Sequence, residues 1–308
     1  MMPTAAEAAR TGALVVDEAE RGTLAVTGRD RLTWLNGIVT CDVSKVAPGR
    51  GALGLILSKA GKVMSDLHIV ADAERVYLSV APGKHGELLE YFDRMLVMED
   101  AEISDRTATH TWLGLHGPRA GEAAEVAAAR TAGAAGSIDW TGLGGAALVV
   151  ERGRRGDALE AMHARGLPLV LGTAEDWQLL RLERGVARYG VDYGLDDNPH
   201  EAALDQRAVA WNKGCYLGQE VVCMQGMRGK VKRRLVSLTL GGPDVPARGV
   251  PVVKVGDDTA VGEVTDARWS ERLSLVVALA RVQGAALEEH VPLTVGAVPA
   301  SVVERPEP

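Results

Sequence analysis

Short apolar runs separated by turn residues make up most of the first third of the chain. They predict strands at residues 22–27, 51–57, 63–70 and 75–80, with another strand starting at Glu102. Between them, Asp30 is placed to cap one helix, and a second helix is predicted at residues 84–95. This mixture predicts a first α+β part at residues 1–110.

The middle of the chain repeats this pattern more loosely. It predicts strands at residues 109–115 and 144–150, and helices at residues 117–129 and 157–164. Thr173 and Asp176 have the spacing of a capping box, which predicts another helix that ends near Gly185. We therefore expect a second α+β part at residues 111–231, and the first two parts can interleave.

The pattern changes after residue 231, where helical periodicity disappears. Short strands are predicted at residues 231–240, 250–255, 260–264, 273–280 and 291–295, separated by Gly, Pro and Asp turns. Regular short strands without helices are typical of a small barrel or sandwich. The predicted fold class is therefore α+β, with a separate all-β domain at residues 232–308.

Composition and charge exclude several classes of protein. Hydrophobic residues make up 46% and charged residues 24% of the 308, which is typical of a folded globular chain. The longest apolar run is far shorter than the roughly 20 residues of a membrane helix, and no secretory signal is visible, so we expect a cytoplasmic protein without membrane contact. A net charge of −7 argues against a surface built to bind nucleic acid as a whole. Three cysteines without a CxxC motif predict neither a disulfide framework nor a metal site.

The most distinctive segment is Lys-Gly-Cys-Tyr-Leu-Gly-Gln-Glu at residues 213–220. Lys213 stands two residues before Cys215 and would lower the pKa of the thiol if the two side chains converge. If Gly218 opens a helix, nearby backbone N–H groups would favour a thiolate or an anion there. The alternative is that Cys215 is a small buried apolar residue in a turn.

This segment resembles the signature K-G-C-[YF]-x-G-Q-E of the YgfZ-type folate-binding proteins, which are relatives of the glycine cleavage T-protein, an aminomethyltransferase. The resemblance extends to both sides of the segment. Residues 181–185 and 189–192 are similar to the R-x-E-x-G…G-x-D run of the superfamily, and residues 228–235 are similar to R-G-x-V-x-R-R-L. Together with the N-terminal G-x-D opening at Gly28, the resemblance covers roughly residues 20 to 300.

The resemblance implies ferredoxin-like α+β domains in a ring around a folate channel, with a C-terminal β-barrel. It implies tetrahydrofolate, or a one-carbon derivative, as the cofactor. For the YgfZ branch it implies an accessory role in assembly or repair of iron-sulfur client proteins, including enzymes that modify tRNA, with Cys215 as the key thiol. The alternative is a folate-dependent aminomethyl or methyl transferase like the T-protein.

The same resemblance suggests roles for individual residues. Glu183 falls at the superfamily glutamate that binds the pterin ring, and a carboxylate suits two N–H donors. Asp66 falls at the second of two aspartates that T-proteins carry side by side, while the first position here is Ser65. We therefore place Asp66 with Cys215 and Lys213 as candidate catalytic residues, although the aspartate pair is incomplete.

A basic run and the residues of the signature complete the candidate cofactor site. Arg228 opens a run of five cations that ends at Arg234, which would match the carboxylates of a folate tail or, alternatively, the phosphates of tRNA. The third interpretation is a solvated edge strand. Tyr216, Gln219 and Glu220 are the remaining candidates for contacts with the cofactor, since an aromatic ring stacks on a pterin and polar groups orient it.

Overall fold

The computed structural model describes residues 3–256 and 259–304. The ends of the first and third predicted domains, residues 1–2 and 305–308, therefore lie outside the described residues. The helices are α1 (Ala5–Thr11), α2 (Arg31–Asn36), α3 (His85–Asp93), α4 (Ala120–Thr131), α5 (Arg155–Ala164), α6 (Ala174–Glu183), α7 (Gln219–Arg228) and α8 (Gly284–Glu288).

The strands form two sheets and a barrel. They are β1 (Ala13–Asp17), β2 (Gly22–Thr27), β3 (Gly49–Arg50), β4 (Ala52–Leu57), β5 (Val63–Ala71), β6 (Val76–Val80), β7 (Glu102–Asp105), β8 (His110–His116), β9 (Ala134–Ser137), β10 (Gly145–Glu151), β11 (Leu169–Leu171), β12 (Arg233–Leu240), β13 (Pro251–Lys254), β14 (Ala260–Ser270), β15 (Leu275–Gln283), β16 (Leu293–Val295) and β17 (Val298–Val303).

The five-stranded sheet is built from the first third of the chain in the order β4-β5-β6-β2-β7. All of its pairings are antiparallel, as expected for strands joined by short turns. One face buries α2 and α3 in an apolar core that includes Trp34, Leu35, Leu88 and Phe92. All nine residues of β5 are buried, so this central strand is covered on both faces.

The six-stranded sheet has the order β11-β1-β8-β10-β9-β3. Its outer face is covered by α4 and α5, whose alanines allow close packing against Leu113 and Leu148. Its inner face packs against the five-stranded sheet through a shared core that includes Val70, Trp112, Trp140 and Val149. Strands β1 and β3 come from the first 50 residues, so the chain passes between the sheets more than once.

The last strands close into a barrel in the order β12-β15-β14-β13-β16-β17. Alternate residues of these strands fill its interior with small aliphatic side chains. Residues 184–218, which have little regular structure, fill the space between the five-stranded sheet and the barrel. Leu57 and Val63 of that sheet share a core there with Tyr193, Leu235 and Leu279.

The predicted α+β class with a C-terminal β-barrel is confirmed. Predicted strands at 22–27, 51–57, 63–70 and 75–80 match β2, β4, β5 and β6 within about two residues. The capping box at Thr173 is present, because its hydroxyl accepts from the Asp176 N–H and the Asp176 carboxylate accepts from the Thr173 N–H. Elements β1, β3, β9, β11, β17, α1 and α8 were not predicted.

The helices of the described residues are all short, and the longest, α4, has 12 residues. None of them is long and apolar enough to cross a membrane.

Candidate functional site

A cavity of about 380 Å³ lies where the two sheets, α6 and the irregular segment after α6 meet. The loop between β1 and β2 forms one wall, β5 forms the floor and α6 forms the opposite wall. Its lining residues are Val16, Asp17, Glu18, Ala19, Glu20, Arg21, Asp66, His68, Pro82, Trp140, Ala174, Glu175, Trp177, Gln178, Arg181, Val186, Ala187, Arg188 and Tyr189. Of the eight residues predicted for the site, only Asp66 is among them.

The floor of the cavity is set by the alternation of β5. Asp66 and His68 are two residues apart, so their side chains lie on the same face of the strand and line the cavity. Ser65 is fully buried on the other face, where its hydroxyl accepts a hydrogen bond from the Ala81 N–H at 2.9 Å. An aspartate at position 65 would therefore not face the cavity. The cavity thus has no fewer carboxylates than it would have with two adjacent aspartates at positions 65 and 66.

Asp66 is held by a cation and a phenol. Arg21 donates from Nη2 to Asp66 Oδ1 at 2.9 Å, and both side chains are nearly buried. Tyr193 donates its hydroxyl to Asp66 Oδ2 at 3.3 Å. Burial, followed by the charge of Asp66, holds the pKa of Tyr193 well above its usual range, so the phenol stays a donor. The carboxylate is fixed in position and remains at the cavity surface.

Glu18 and His68 form a second polar pair beside Asp66. The Glu18 side chain is 13% exposed, its Oε2 lies 3.5 Å from Nδ1 of His68, and that oxygen has no hydrogen-bond partner within the described chain. Burial raises the pKa of Glu18 to about 7, and Asp66 adds to the shift while Arg21 opposes it. Burial, followed by the charge of Arg21, lowers the pKa of His68 well below its usual range. His68 is therefore neutral at pH 7, and both its ring nitrogens lack partners.

Aromatic rings provide apolar surfaces around these polar groups. Trp140 packs edge-on against His68, with ring centroids 4.1 Å apart. Trp177 of α6 lines the other wall and stacks on His116 at 4.2 Å, with the planes 8° apart. Burial lowers the pKa of His116 to about 4, so it too is neutral. A flat heterocycle with a polar edge suits this combination of indole faces and unpartnered polar atoms.

Helix α6, which forms one cavity wall, is hydrogen-bonded to the barrel. Arg181 is buried and donates to Asp192 Oδ2 at 2.8 Å and to Asp266 of β14. Gln178 donates to both carboxylate oxygens of Asp266, at 2.9 and 3.0 Å. Buried guanidinium–carboxylate pairs of this kind fix geometry, because removing one partner leaves an uncompensated buried charge. The barrel thereby fixes the position of the helix that forms one cavity wall.

Glu183, the predicted pterin ligand, does not line the cavity. Its Oε1 accepts from the hydroxyl of Ser270, and its Oε2 accepts from Nη2 of Arg272 at 2.8 Å. Both carboxylate oxygens thus bond to the end of β14 and the loop that follows it, and the predicted role of Glu183 remains a prediction.

The Cys215 segment (residues 213–220) lies outside the cavity and packs against the hairpin between β4 and β5. Cys215 itself is exposed. The Lys213 ammonium donates to the carbonyls of Val39 and Cys41, each at 2.7 Å, and lies 5.3 Å from the centre of the Tyr216 ring. Lys213 is therefore directed at the backbone near residue 40, where burial lowers its pKa.

The second half of the Cys215 segment starts α7. Gly218 therefore opens a helix, which was the condition stated above for a thiolate or an anion to be favoured there. Gly218 is the N-cap residue with φ 82°, and a Cβ there would lie 2.9 Å from the carbonyl oxygen of Ser58. Tyr216 is buried, its hydroxyl has no hydrogen-bond partner in the part of the chain that the structure describes, and burial raises its pKa to about 12. Gln219 and Glu220 form the first turn of α7, away from the cavity lining.

The basic run is partly neutralised by acidic neighbours. Arg233 bonds to Asp197 at 3.1 Å, and Arg234 bonds to Asp205 at 3.3 Å. Arg228 is exposed in the last turn of α7 and does not line the cavity. The roles assigned to Arg228 and to the other residues of the run remain predictions.

Sequence reasoning missed Glu18, Arg21, His68, Trp140 and Trp177. Two signals pointed to some of them. The polar run at residues 17–21 follows the short apolar strand β1, and His68 stands two residues after Asp66 in an otherwise apolar strand. Among residues 3–256 and 259–304, no group of three or more His, Cys, Asp and Glu side chains is arranged to hold a metal ion.

Two family models match the chain. Residues 3–143 match the GCVT N-terminal domain, and residues 233–307 match the glycine cleavage T-protein C-terminal barrel domain. The chain is 28% identical over 320 residues to an aminomethyltransferase of Rubrobacter xylanophilus, covering 98% of this chain and 82% of that protein. It is 27% identical over 330 residues to an aminomethyltransferase of a Nostoc species, covering 97% and 86%.

A solved structure has the same fold. The glycine cleavage system aminomethyltransferase T from Bartonella henselae superimposes with a TM-score of 0.78 and 19% identity, covering 96% of this chain and 86% of that one. The fold is therefore that of an α+β protein with a closed six-stranded C-terminal barrel. The chain is similar to the glycine cleavage T-proteins in two regions, their N-terminal domain and their C-terminal barrel domain.

Proposed function

We propose that the protein binds tetrahydrofolate in the cavity between the two sheets and α6, called the central cavity below. We further propose that it acts in folate-dependent one-carbon transfer, as the name aminomethyltransferase indicates for its relatives. The observation that carries the proposal is the cavity itself. It combines a fixed carboxylate, two indole rings and buried polar atoms that the described chain does not satisfy. Such atoms cost free energy in the folded protein unless a ligand or water pairs with them.

The residues present fit a reduced folate. A pterin is a flat heterocycle whose edge carries several N–H donors, which suit carboxylate acceptors between aromatic surfaces. Trp140 and Trp177 provide the surfaces, and Glu18 and Asp66 provide the acceptors. When bound, tetrahydrofolate would supply the nitrogen atoms that accept the one-carbon unit.

Asp66 is the residue best placed to assist the transfer. Arg21 and Tyr193 fix its two oxygens, so the carboxylate is held ready without reorganisation. An ionised carboxylate in a cavity stabilises positive charge on a nearby amine or accepts its proton. Both actions suit a reaction at amine nitrogens.

The test is calorimetric titration of the reduced, purified protein with tetrahydrofolate, followed by a turnover assay with an aminomethyl donor. We expect micromolar binding, and turnover that falls at least 100-fold in Asp66→Asn. Asp244→Asn, an exposed change in the barrel, is the matched control and should leave both unchanged. Failure of the wild type to bind tetrahydrofolate would overturn the proposal.

A second candidate function is favoured by the exposure of Cys215. The eight-residue segment resembles the YgfZ signature and presents its thiol to solvent, where a client protein can reach it. A single thiolate does not hold a cluster alone, so an iron-sulfur role would be shared with that client. Folate binding without turnover, together with iron-sulfur enzyme activity in cells that Cys215→Ser fails to restore, would favour this function over transfer.

A further inference from the structure

Two glutamates of this chain are candidates for pairing with the polar edge of the folate, and their surroundings differ. Glu183 occupies the position that the family resemblance indicates, but Ser270 and Arg272 engage both its oxygens. Three of its acceptor positions are therefore in use, which leaves little capacity for two N–H donors of a ligand. Its side chain is 7% exposed, so little of it is free to make a second contact.

Glu18, in contrast to Glu183, lines the cavity, and its side chain makes no hydrogen bond to any described residue. The nearest cation, Arg21, lies 4.0 Å away and is committed to Asp66. A nearly buried carboxylate without a partner is costly, and a ligand that donates N–H groups removes that cost.

His68 lies directly behind this carboxylate. Its Nδ1 is 3.5 Å from Glu18 Oε2, and its ring is held between Trp112 and Trp140. The imidazole is 2% exposed, so it does not itself present a surface to a ligand. A neutral imidazole at this distance limits where the Glu18 carboxylate can move, and no hydrogen bond joins the two groups.

We propose that Glu18, positioned by His68, is the carboxylate that binds the aminopyrimidinone edge of the folate in this chain. The inference rests on the proposed function and assigns the polar-edge contact to the loop between β1 and β2. The edge of an aminopyrimidinone presents an amino group and a ring N–H side by side, and an ionised carboxylate accepts from both. Glu183 then serves to join α6 to the barrel.

The proposal carries a pH dependence, because only the ionised carboxylate accepts both hydrogen bonds. The groups that face Glu18 are Glu20 and Arg21 of its own loop, Asp66 and His68 of β5, His116 of β8, and Arg188 of the segment after α6. Burial raises the pKa of Glu18 to about 7 despite the two arginines. Affinity should therefore rise as the pH increases from 6 to 8 and level off above that.

The test compares two isosteric variants. Tetrahydrofolate is titrated calorimetrically into the reduced wild type, Glu18→Gln and Glu183→Gln at pH 6, 7 and 8. We expect Glu18→Gln to weaken binding at least 30-fold at pH 8 and to abolish the rise with pH, while Glu183→Gln changes affinity less than threefold. Loss in Glu183→Gln with no loss in Glu18→Gln would overturn this inference and leave the proposed function standing. No binding to the wild type would overturn both.

His68 is tested as a positioning residue with His68→Leu. We expect weaker binding of tetrahydrofolate at pH 8, because the Glu18 carboxylate loses the ring that limits where it can move. A purely structural role would lower the melting temperature without changing that affinity, and this result would contradict the positioning role. Circular dichroism of each variant confirms that it is folded before titration.

Discussion

The central cavity and the Cys215 segment are both polar, but they hold their chemistry in different ways. In the cavity, Asp66 and Arg21 are paired and nearly buried, and Oε2 of Glu18 has no hydrogen-bond partner among the described residues. In the segment, the Cys215 thiol faces solvent, and the only nearby cation in its motif, Lys213, bonds to backbone carbonyls instead. Burial raises the pKa of Glu18 and lowers the pKa of His68 in the cavity, whereas the Cys215 side chain is exposed.

The difference shows that a contiguous motif and a site assembled by the fold need not coincide. The Cys215 segment is eight consecutive residues in a loop and the first turn of α7. The cavity draws its groups from residue 16 to residue 189, and several distant elements position them. Substitutions in the cavity should therefore change the free energy of unfolding more than substitutions in the Cys215 segment.

The largest difference should come from Asp66→Ala. It leaves the Arg21 guanidinium nearly buried without its partner, which typically costs about 3–5 kcal/mol of unfolding free energy. Urea unfolding at pH 7 measures the loss, and Asp244→Ala in the exposed barrel loop is the control. A loss below about 1 kcal/mol would mean that the pair is solvated and the cavity resembles the surface segment.

Glu18→Gln should stabilise the protein, in a pH-dependent way. Because its pKa in the folded protein is raised from 4.5 to about 7, the wild type loses stability as the pH rises through that window. The variant avoids this, so it should gain on the order of 2–3 kcal/mol at pH 8 and little at pH 4.5. Urea unfolding at both pH values measures the gain, with exposed Glu220→Gln of the Cys215 segment as the control. A gain in stability that is equal at both pH values would contradict the raised pKa of Glu18.

Within the Cys215 segment, Gly218→Ala should be the most damaging change. Gly218 has φ 82° and lies against the Ser58 carbonyl, so alanine adds both backbone strain and a close contact, about 1–2 kcal/mol in all. Gly214→Ala is the matched control four residues away, since nothing lies within 4 Å of its added Cβ. Thermal unfolding measures both variants, and equal melting temperatures would show that α7 starts without this contact.

The smallest effect is expected for the thiol itself. Cys215→Ala should change the unfolding free energy by less than about 0.5 kcal/mol, as is usual for an exposed side chain. Iodoacetamide at pH 8 should alkylate Cys215 in the folded protein and leave Cys41 unmodified, because burial raises the pKa of Cys41 to about 12. Mass spectrometry of the peptides distinguishes the two, and alkylation of Cys41 at a similar rate would contradict its burial.

Much of the fold follows from local patterns, because strands such as β2, β5 and β12 are apolar runs bounded by turn residues. Strands β9 and β11 escaped prediction for a physical reason. The first lies in an Ala- and Gly-rich stretch without strand propensity, and the second has three residues. Strand β11 pairs with the distant β1, and β9 pairs with β10 and the distant β3, and sequence patterns within one segment do not contain that information.

The candidate site was predictable only where a single segment carried it. Asp66 was found because its strand and the family resemblance both mark it. Glu18 and Arg21 were missed because β1 was missed, so the polar run after it did not stand out as a strand-end loop. The engagement of Glu183 by Arg272 joins residues 89 positions apart, and no local pattern indicates it.

The position of β1 in the six-stranded sheet bears on the order of events during synthesis. Its partners are β8, which ends at residue 116, and β11, which starts at residue 169. At about 5–20 residues per second, the nascent β1 waits on the order of 5–20 s before its first neighbouring strand exists. The apolar side chains of residues 13–16 therefore have no neighbouring strand during that time, and the cavity wall that follows them is completed only after β8 has been made.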